Sequence, residues 1–394
     1  MNEYPVVLIT DNNYCIPTGV AIQSLIDSYK KDAKLIVYII ACNVDDENKA
    51  LFNALSTRNA EVKIIECNLS ELKKYSEINY YVSPSALLKF LIPNLISEYE
   101  RILYIDGDVL VRKDITDIFE TDIDGYYAAA VADFAGMFAY KFHTRLKLPR
   151  YFNTGVLLLN AKRLRAEHMD EKLFACKAAH PEYQCMDQDV FNVVFKNEVK
   201  FLPHKYNVMM ANLEIMQKEM GITMREIDTF FHSDYGSYKN LEADSYLLHL
   251  TNEFKPWIYK NVYMHEEWLK IFKRTPFAKK ELEFKTKRKD ADIQKHTWHR
   301  IPFIERVNVK NQTKIRVFGI PLAKRVWTDY EIITTLFFVF KFIKPNWNSI
   351  YFRFNSYLSA IRNVQNTLSE NIREKAVLSQ ISRLSDTTKR GNEI

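Results

Sequence analysis

Glycine is scarce in this chain, with 9 among 394 residues. None falls in Thr10-Asp-Asn-Asn-Tyr-Cys-Ile-Pro17, the turn after the first apolar stretch. A sugar nucleotidyltransferase or another phosphate-loop enzyme wants a glycine-rich cradle there, so that class is disfavoured. Long apolar runs are also missing. The bulkiest, Ile332–Ile343, is interrupted by Lys341 and is too short to span a bilayer. The N-terminal Met1-Asn-Glu-Tyr-Pro-Val-Val-Leu-Ile-Thr10 lacks a basic segment ahead of a signal-length apolar core, and reads as a first strand. The five cysteines (Cys15, Cys42, Cys67, Cys176, Cys185) form no Cys-x-x-Cys pair. That argues against a zinc site and a disulfide framework, and fits free thiols in a reducing cytoplasm.

What is present is a globular composition, 47% hydrophobic and 26% charged, long enough for more than one domain. Charge is unevenly spread. Residues 276–394 hold 23 Lys/Arg against 11 Asp/Glu, an excess of 12 positive charges, while the whole chain carries +6. A mildly acidic body of residues 1–275 therefore bears a basic, aromatic-rich extension. Such an extension suits an anionic partner. Its aromatics lie in apolar runs and are not interleaved with Gly and Arg, so nucleic acid is disfavoured. The tail pattern, including Val364, Leu368, Ile372, Ile381 and Leu384, predicts a mainly helical extension, packed on its own domain, docked on a membrane surface or forming a homo-oligomer seam.

Apolar runs at residues 5–9, 35–42, 62–65 and 102–105 predict strands. Helical patterns over 17–29, 45–55 and 83–92 fall between them. This alternation predicts a doubly wound α/β layout. Further strands are expected at 126–132, 155–159 and 246–250, with a helix over 187–195 and a boundary in the charge run 279–289.

The stretch Leu103-Tyr-Ile-Asp-Gly-Asp-Val-Leu-Val111 ends an apolar strand on two carboxylates around Gly107. A charge at such a place costs several kcal/mol to desolvate unless it is paired or bound to a cation, on the order of the penalties for buried ions. In open α/β sheets ligands collect at the carboxyl ends of strands. Asp-Gly-Asp is also good turn chemistry, and Asp-x-Asp recurs at Asp122–Asp124, Asp187–Asp189 and Asp290–Asp292, so the tripeptide alone decides nothing. Four other stretches matter. Thr10-Asp11-Asn12-Asn13-Tyr14 offers amides and a carboxylate for a nucleobase and ribose, or simply a capped turn. Tyr151-Phe-Asn-Thr-Gly155 places Asn153 before an apolar strand, and Met186-Asp-Gln-Asp-Val190 clusters acceptors at a helix start. In Leu248-His-Leu-Thr-Asn-Glu-Phe-Lys-Pro-Trp257, His249 is a candidate third ligand and Lys255 a partner for a diphosphate.

Together and in this order, the five motifs over about residues 4–260 resemble glycosyltransferase family 8. These are the retaining GT-A enzymes of bacterial surface-polysaccharide synthesis and of glycogenin. The resemblance implies a GT-A fold, a Rossmann-like mixed sheet flanked by helices. It implies Mn²⁺, or Mg²⁺, held by Asp106, Asp108 and His249. It implies a UDP-sugar donor, UDP-glucose or UDP-galactose, contacted by Thr10, Asp11, Asn13, Tyr14, Lys89, Gly107, Asn252 and Lys255 besides the metal carboxylates. On the sugar side it implies Gln188 as the group beside the reacting carbon, with Asp133, Asp187 and Asn153 around it. The acceptor implied is an oligosaccharide or lipid-linked glycan, and the location the cytoplasmic face of the cell membrane. Two positions depart from the family pattern: Asn252 stands where the closing motif has glycine, and Lys89 where an arginine is frequent. A degenerate member that binds nucleotide or glycan without turnover is the alternative reading.

Overall fold

The computed structural model describes residues 3–67, 84–138, 142–183, 185–251 and 254–285, together with six strands between 293 and 345. The chain divides into two compact units, Met1–Lys287 and Arg288–Ile394. The boundary lies inside the charge run, beyond residue 275, because Phe277 is fully buried in the first unit with its ring 4.9 Å from that of Phe52.

The first unit is built on β1 (Glu3–Asp11), β2 (Lys34–Cys42), β3 (Ala60–Cys67), β4 (Arg101–Ile105), β6 (Ala128–Ala132), β7 (Phe152–Asn160) and β8 (Val199–Phe201). Their order across the sheet is β3-β2-β1-β4-β7-β6-β8. The strands β3, β2, β1 and β4 run parallel, while β7 is antiparallel to both β4 and β6. A separate ribbon pairs β5 (Val109–Val111) with β9 (Leu247–His249). The expected α/β GT-A sheet is what forms. Val7 and Ile9 of β1 share a core with Leu87, Phe90 and Phe191. Val6 and Leu8 alternate with them and are equally buried, so the strand is covered on both faces, as a near-continuous apolar run requires.

This topology brings the motifs together. The chain leaves β1 toward β2 and β3, then returns to β4 on the other side of β1, which makes a switch point at the carboxyl ends of β1 and β4. Thr10 and Asp11 end β1, and Asp106 follows β4. Because β7 is antiparallel, its beginning lies at that same edge, where Asp106 N–H donates to Gly155 O at 2.8 Å. The strand β6 ends there too, ahead of Asp133.

The helix expected over 83–92 is a 3-10 turn over Pro84–Leu91, followed by a short helix Ile92–Leu95 with Pro93 in its first turn. Pro93 lacks the N–H that would continue an α-ladder from below, which separates the two pieces.

The second unit differs from the expectation. Where described it is not helical but an antiparallel meander of β10 (Ile293–Thr297), β11 (Ile304–Val309), β12 (Gln312–Val317), β13 (Ile320–Trp327), β14 (Glu331–Leu336) and β15 (Phe340–Pro345). The run Ile332–Ile343, read as one apolar element, is two paired strands. Val, Ile and Thr recur in these segments, and β-branched residues favour a pleated strand over a helix. The expected helix over 363–384 lies outside the described residues. Among the described residues no helix is long and apolar enough to cross a membrane.

One buried histidine sets a pH limit on the first unit. His204 is buried, with its ring 3.7 Å from the Phe231 ring and Nδ1 without a partner. Burial pushes it down to about 3, against a smaller opposing pull from Asp228. The unfolded chain therefore binds the extra proton between the ordinary value of about 6.5 and the folded value, and stability is lost as the pH is lowered through that window, by about 1.4 kcal/mol per unit. His204→Leu is expected to flatten urea-unfolding stability between about pH 6 and 4 by about 3 kcal/mol. An unchanged slope would show that His204 is not the controlling group.

Candidate active site

The two carboxylates and the histidine converge. Candidate ligand atoms of Asp106, Asp108 and His249 all lie within 4.8 Å of one another, the one such group of acids, cysteines and histidines among the described residues. The β5–β9 ribbon makes this possible, pairing Val109 with His249 so that the ring returns beside the Asp-Gly-Asp turn. His249 Nε2 sits 3.2 Å from Asp108 Oδ1 and 3.7 Å from Asp106 Oδ2. Its Nδ1 is 3.0 Å from Asn207 Oδ1.

Glycine is required twice here. A Cβ on Gly155 would stand 2.3 Å from His249 Cε1 and 2.7 Å from Asp106 Oδ2. A Cβ on Gly107 would stand 2.5 Å from Thr18 Oγ1, on the helix Cys15–Ser28. So Gly155, which reads in the sequence as turn punctuation, is the gap into which the metal-site side chains fit.

Lysines neutralise the carboxylates. Lys255 Nζ lies 2.7 Å from Asp108 Oδ2 and 5.5 Å from the centre of the Trp257 ring. Burial opposes ionisation of Asp108, but the charges of Lys255 and His249 outweigh it and hold the carboxyl well below the usual range. Lys89, from the 3-10 turn, is buried. Its Nζ donates to Asp187 Oδ2 at 2.8 Å and lies 3.2 Å from Asp106 Oδ1. Burial disfavours its charge, yet Asp106 and Asp187 together keep it protonated. Tyr104 OH donates to the same Asp106 oxygen.

Beside Lys89 a polar network forms at the start of the helix Met186–Phe195. Gln188 Oε1 accepts from Asn153 Nδ2 at 3.0 Å and from Thr154 N–H at 3.2 Å. Gln188 Nε2 donates to Asp133 Oδ2 at 3.0 Å. Burial raises Asp133 above the usual carboxylate range, against the hydrogen bonds from Gly136 and Gln188. Asp187 also accepts from Thr154 Oγ1 at 2.9 Å.

The turn that follows β1 is more local. Asp11 caps the turn Asn12–Tyr14, accepting from Asn13 N–H at 3.0 Å and Tyr14 N–H at 3.1 Å. The Thr10 hydroxyl is buried, donating to Asp11 O and accepting from Thr18, so it supports the turn from below. Asn13 is exposed. Tyr14 shares a hydrogen bond with Asp108 and meets Trp257 edge-on at 5.5 Å; burial and the nearby carboxylates raise its phenol well above the usual value. Asn252 lies outside the described residues.

Among the described residues, the other Asp-x-Asp pairs differ in their surroundings. Asp122 and Asp124 form an exposed turn, joined by a 3.0 Å bond from Asp124 N–H. Asp189 is fully buried, holding Tyr151 OH at 2.6 Å and Arg145 at 2.5 Å. It anchors the helix start, whereas Asp187 faces Lys89. Asn207, which no motif marks, is the residue that sequence reasoning missed; its neighbours Tyr206 and Val208 suggest only a short apolar segment.

Comparisons with known proteins agree with this geometry. The model of Glycosyl transferase family 8 matches residues 5–261. The lipopolysaccharide 1,2-glucosyltransferase of Escherichia coli K12 is 28% identical over 302 residues, covering 73% of this chain and 84% of that protein. General stress protein A of Bacillus subtilis is 24% identical over 278 residues, covering 66% and 91%. The galactosyltransferase LgtC, solved with donor and acceptor sugar analogues, superposes with a TM-score of 0.59 at 21% identity, over 69% of this chain and 96% of that one.

Proposed function

This chain belongs to glycosyltransferase family 8, and from that premise we propose a retaining hexosyltransferase that moves glucose or galactose from a UDP-sugar to a glycan acceptor in surface-polysaccharide synthesis. The observation that carries the reading is the Asp106–Asp108–His249 cluster at the switch point of the sheet. Two carboxylates and one imidazole form an oxygen-rich set that suits Mn²⁺ or Mg²⁺ better than zinc. The geometry fits a cation for a second reason: with Nδ1 engaged by Asn207, Nε2 of His249 faces two carboxylates, an arrangement that needs a positive charge between them, either a bound cation or, without one, a proton on Nε2. A cation bound there supplies Lewis-acid stabilisation of the leaving diphosphate.

The chain's own residues do the rest. Lys255 stands ready to exchange Asp108 for a phosphate oxygen, and Tyr14 with Trp257 borders the nucleotide turn. By the family resemblance Gln188 matches the position where a double displacement would need a nucleophilic carboxylate, and an amide is a poor nucleophile. Its oxygen and nitrogen are both engaged, so it positions. The acceptor hydroxyl then attacks from the side of the leaving group. The bond from the sugar to the diphosphate breaks as the glycosidic bond forms, and the hydroxyl proton passes to the departing phosphate oxygen.

Calorimetric titration of UDP-glucose and UDP-galactose, each with and without Mn²⁺, tests the donor. Metal-dependent binding of one of them is the expected result. Folded protein that binds neither would move the reading to a non-catalytic member.

The basic extension of residues 276–394 holds the enzyme at the anionic inner leaflet of the membrane; its excess of 12 positive charges supports this. The full chain is expected to sediment with phosphatidylserine vesicles at low salt, and to remain in the supernatant with neutral phosphatidylcholine or at high salt. Equal binding to both lipids would count against an electrostatic anchor.

A further inference from the structure

Asn207 is fully buried between the metal-site histidine and the sugar-side amides. Its orientation can be deduced, because backbone N–H groups only donate. Gly155 N–H donates to Asn153 Oδ1 at 2.9 Å, and Thr154 N–H donates to Gln188 Oε1 at 3.2 Å. Both side-chain oxygens are thereby fixed as acceptors. Asn153 Nδ2 must then face Gln188 Oε1, and Gln188 Nε2 must face Asp133. The group of Asn207 that lies 2.8 Å from Asn153 Oδ1 has to be a donor, so it is Nδ2. The remaining Asn207 oxygen lies 3.0 Å from His249 Nδ1 and only accepts. A neutral His249 is therefore the Nδ1–H tautomer, and its bare Nε2 points at Asp106 and Asp108.

We propose that Asn207 is a positioning residue: it sets the His249 tautomer for cation binding and ties that choice to the orientation of Gln188. The value of the tautomer rests on the metal reading above, whereas the tautomer itself does not. Two backbone N–H groups of β7 thus dictate, through Asn153 and Asn207, which nitrogen of a distant imidazole is free. Partners that orient a ligating histidine in this way are worth roughly 10–100-fold in metal affinity.

The test uses the full chain with ¹⁵N-labelled histidine at mildly alkaline pH, where an ordinary imidazole is neutral. Long-range ¹H–¹⁵N correlation is expected to show His249 with Nδ1 protonated and Nε2 bare, the signal being assigned by its loss in His249→Asn. In Asn207→Leu the pattern should mix or reverse. Binding of Mn²⁺ alone, read from the spin-resonance signal of the free ion, should weaken about 10–100-fold. Asn207→Asp keeps an acceptor against Nδ1 but loses the donor to Asn153 Oδ1, so it should keep Nδ1 protonated while uncoupling His249 from Gln188. Should Asn207→Leu fail to fold, Asn153→Ala releases the relay from its far end and should also mix the tautomers. An Nε2–H ring in the wild-type chain would overturn the proposal. So would an unchanged pattern in whichever of these relay variants folds, with Mn²⁺ affinity within about twofold of wild type. The expected tautomer in a wild-type chain that binds no Mn²⁺ would support the relay and refute the metal reading.

Discussion

Asp108→Ala is expected to lower kcat/KM for sugar transfer by about a thousandfold or more, equivalent to ~4 kcal/mol of transition-state stabilisation. It should also abolish the response to added Mn²⁺. Asp108 is the member of the cluster with contacts to both His249 and Lys255, so its loss removes a candidate ligand and frees the ammonium beside it. The control is Asp122→Ala, which alters another Asp-x-Asp, Asp122-Ile-Asp124, in an exposed turn and should leave activity within about twofold, as surface substitutions do. Activity of Asp108→Ala within tenfold of wild type, or an equal loss in Asp122→Ala, would show that the cluster is not the seat of the chemistry. Metal removal gives the same reading from the other side: wild-type chain treated with a chelator should match Asp108→Ala, and added Mn²⁺ should restore only the wild type.

Lys89→Met is expected to destabilise the first unit by about 3–5 kcal/mol, the cost of breaking a buried ion pair by removing one partner. The methionine matches the lysine stem in length and removes only the charge. Asp187 and Asp106 would then face each other's surroundings without the ammonium that lies 2.8 and 3.2 Å from them. Urea unfolding measures the effect. Lys89→Arg keeps the charge and should restore most of the stability, while gaining the planar fork that reads two oxygens at once. A Lys89→Met protein as stable as wild type would mean that water or a protonated Asp187 replaces the lysine. Transfer activity should fall in Lys89→Met as well, since Asp106 loses a fixed partner. The stability readout separates this structural role from a contact with donor.

Several features of the site were legible from local sequence. The apolar run ending at Asp106 and the polar turn after Ile9 are each written within ten residues, and each arrangement in the fold follows from that pattern. The sorting of the Asp-x-Asp pairs was legible in part, because Asp106–Asp108 alone follows a buried strand. The split role of Asp187 and Asp189 was not: one residue apart on a helix start, they turn to different partners, and nothing in Met186-Asp-Gln-Asp-Val190 says which faces Lys89. The reading of 332–343 as one apolar element in a mainly helical extension failed for a related reason. A bulky apolar run of that length satisfies either period, and pairing of Glu331–Leu336 with Phe340–Pro345 chose the strand.

The sequence by itself determined the alternation of strands and helices, the strand ends where charged residues gather, and, through five motifs in order, the family. These are properties of short segments, governed by side-chain period and by the cost of burying charge. The tertiary structure alone decided which groups touch. Lys255 and Asp108 are 147 residues apart, Lys89 and Asp187 98, and His249 and Asn207 42. A hydrogen bond forms only within a few tenths of an ångström of its preferred length. Such placement depends on the register of β4 against β7 and of β5 against β9. Register is set by the whole sheet packing at once, so the partners of Asp106, His249 and Gln188, and the orientation of Asn207 between them, exist only in the folded chain.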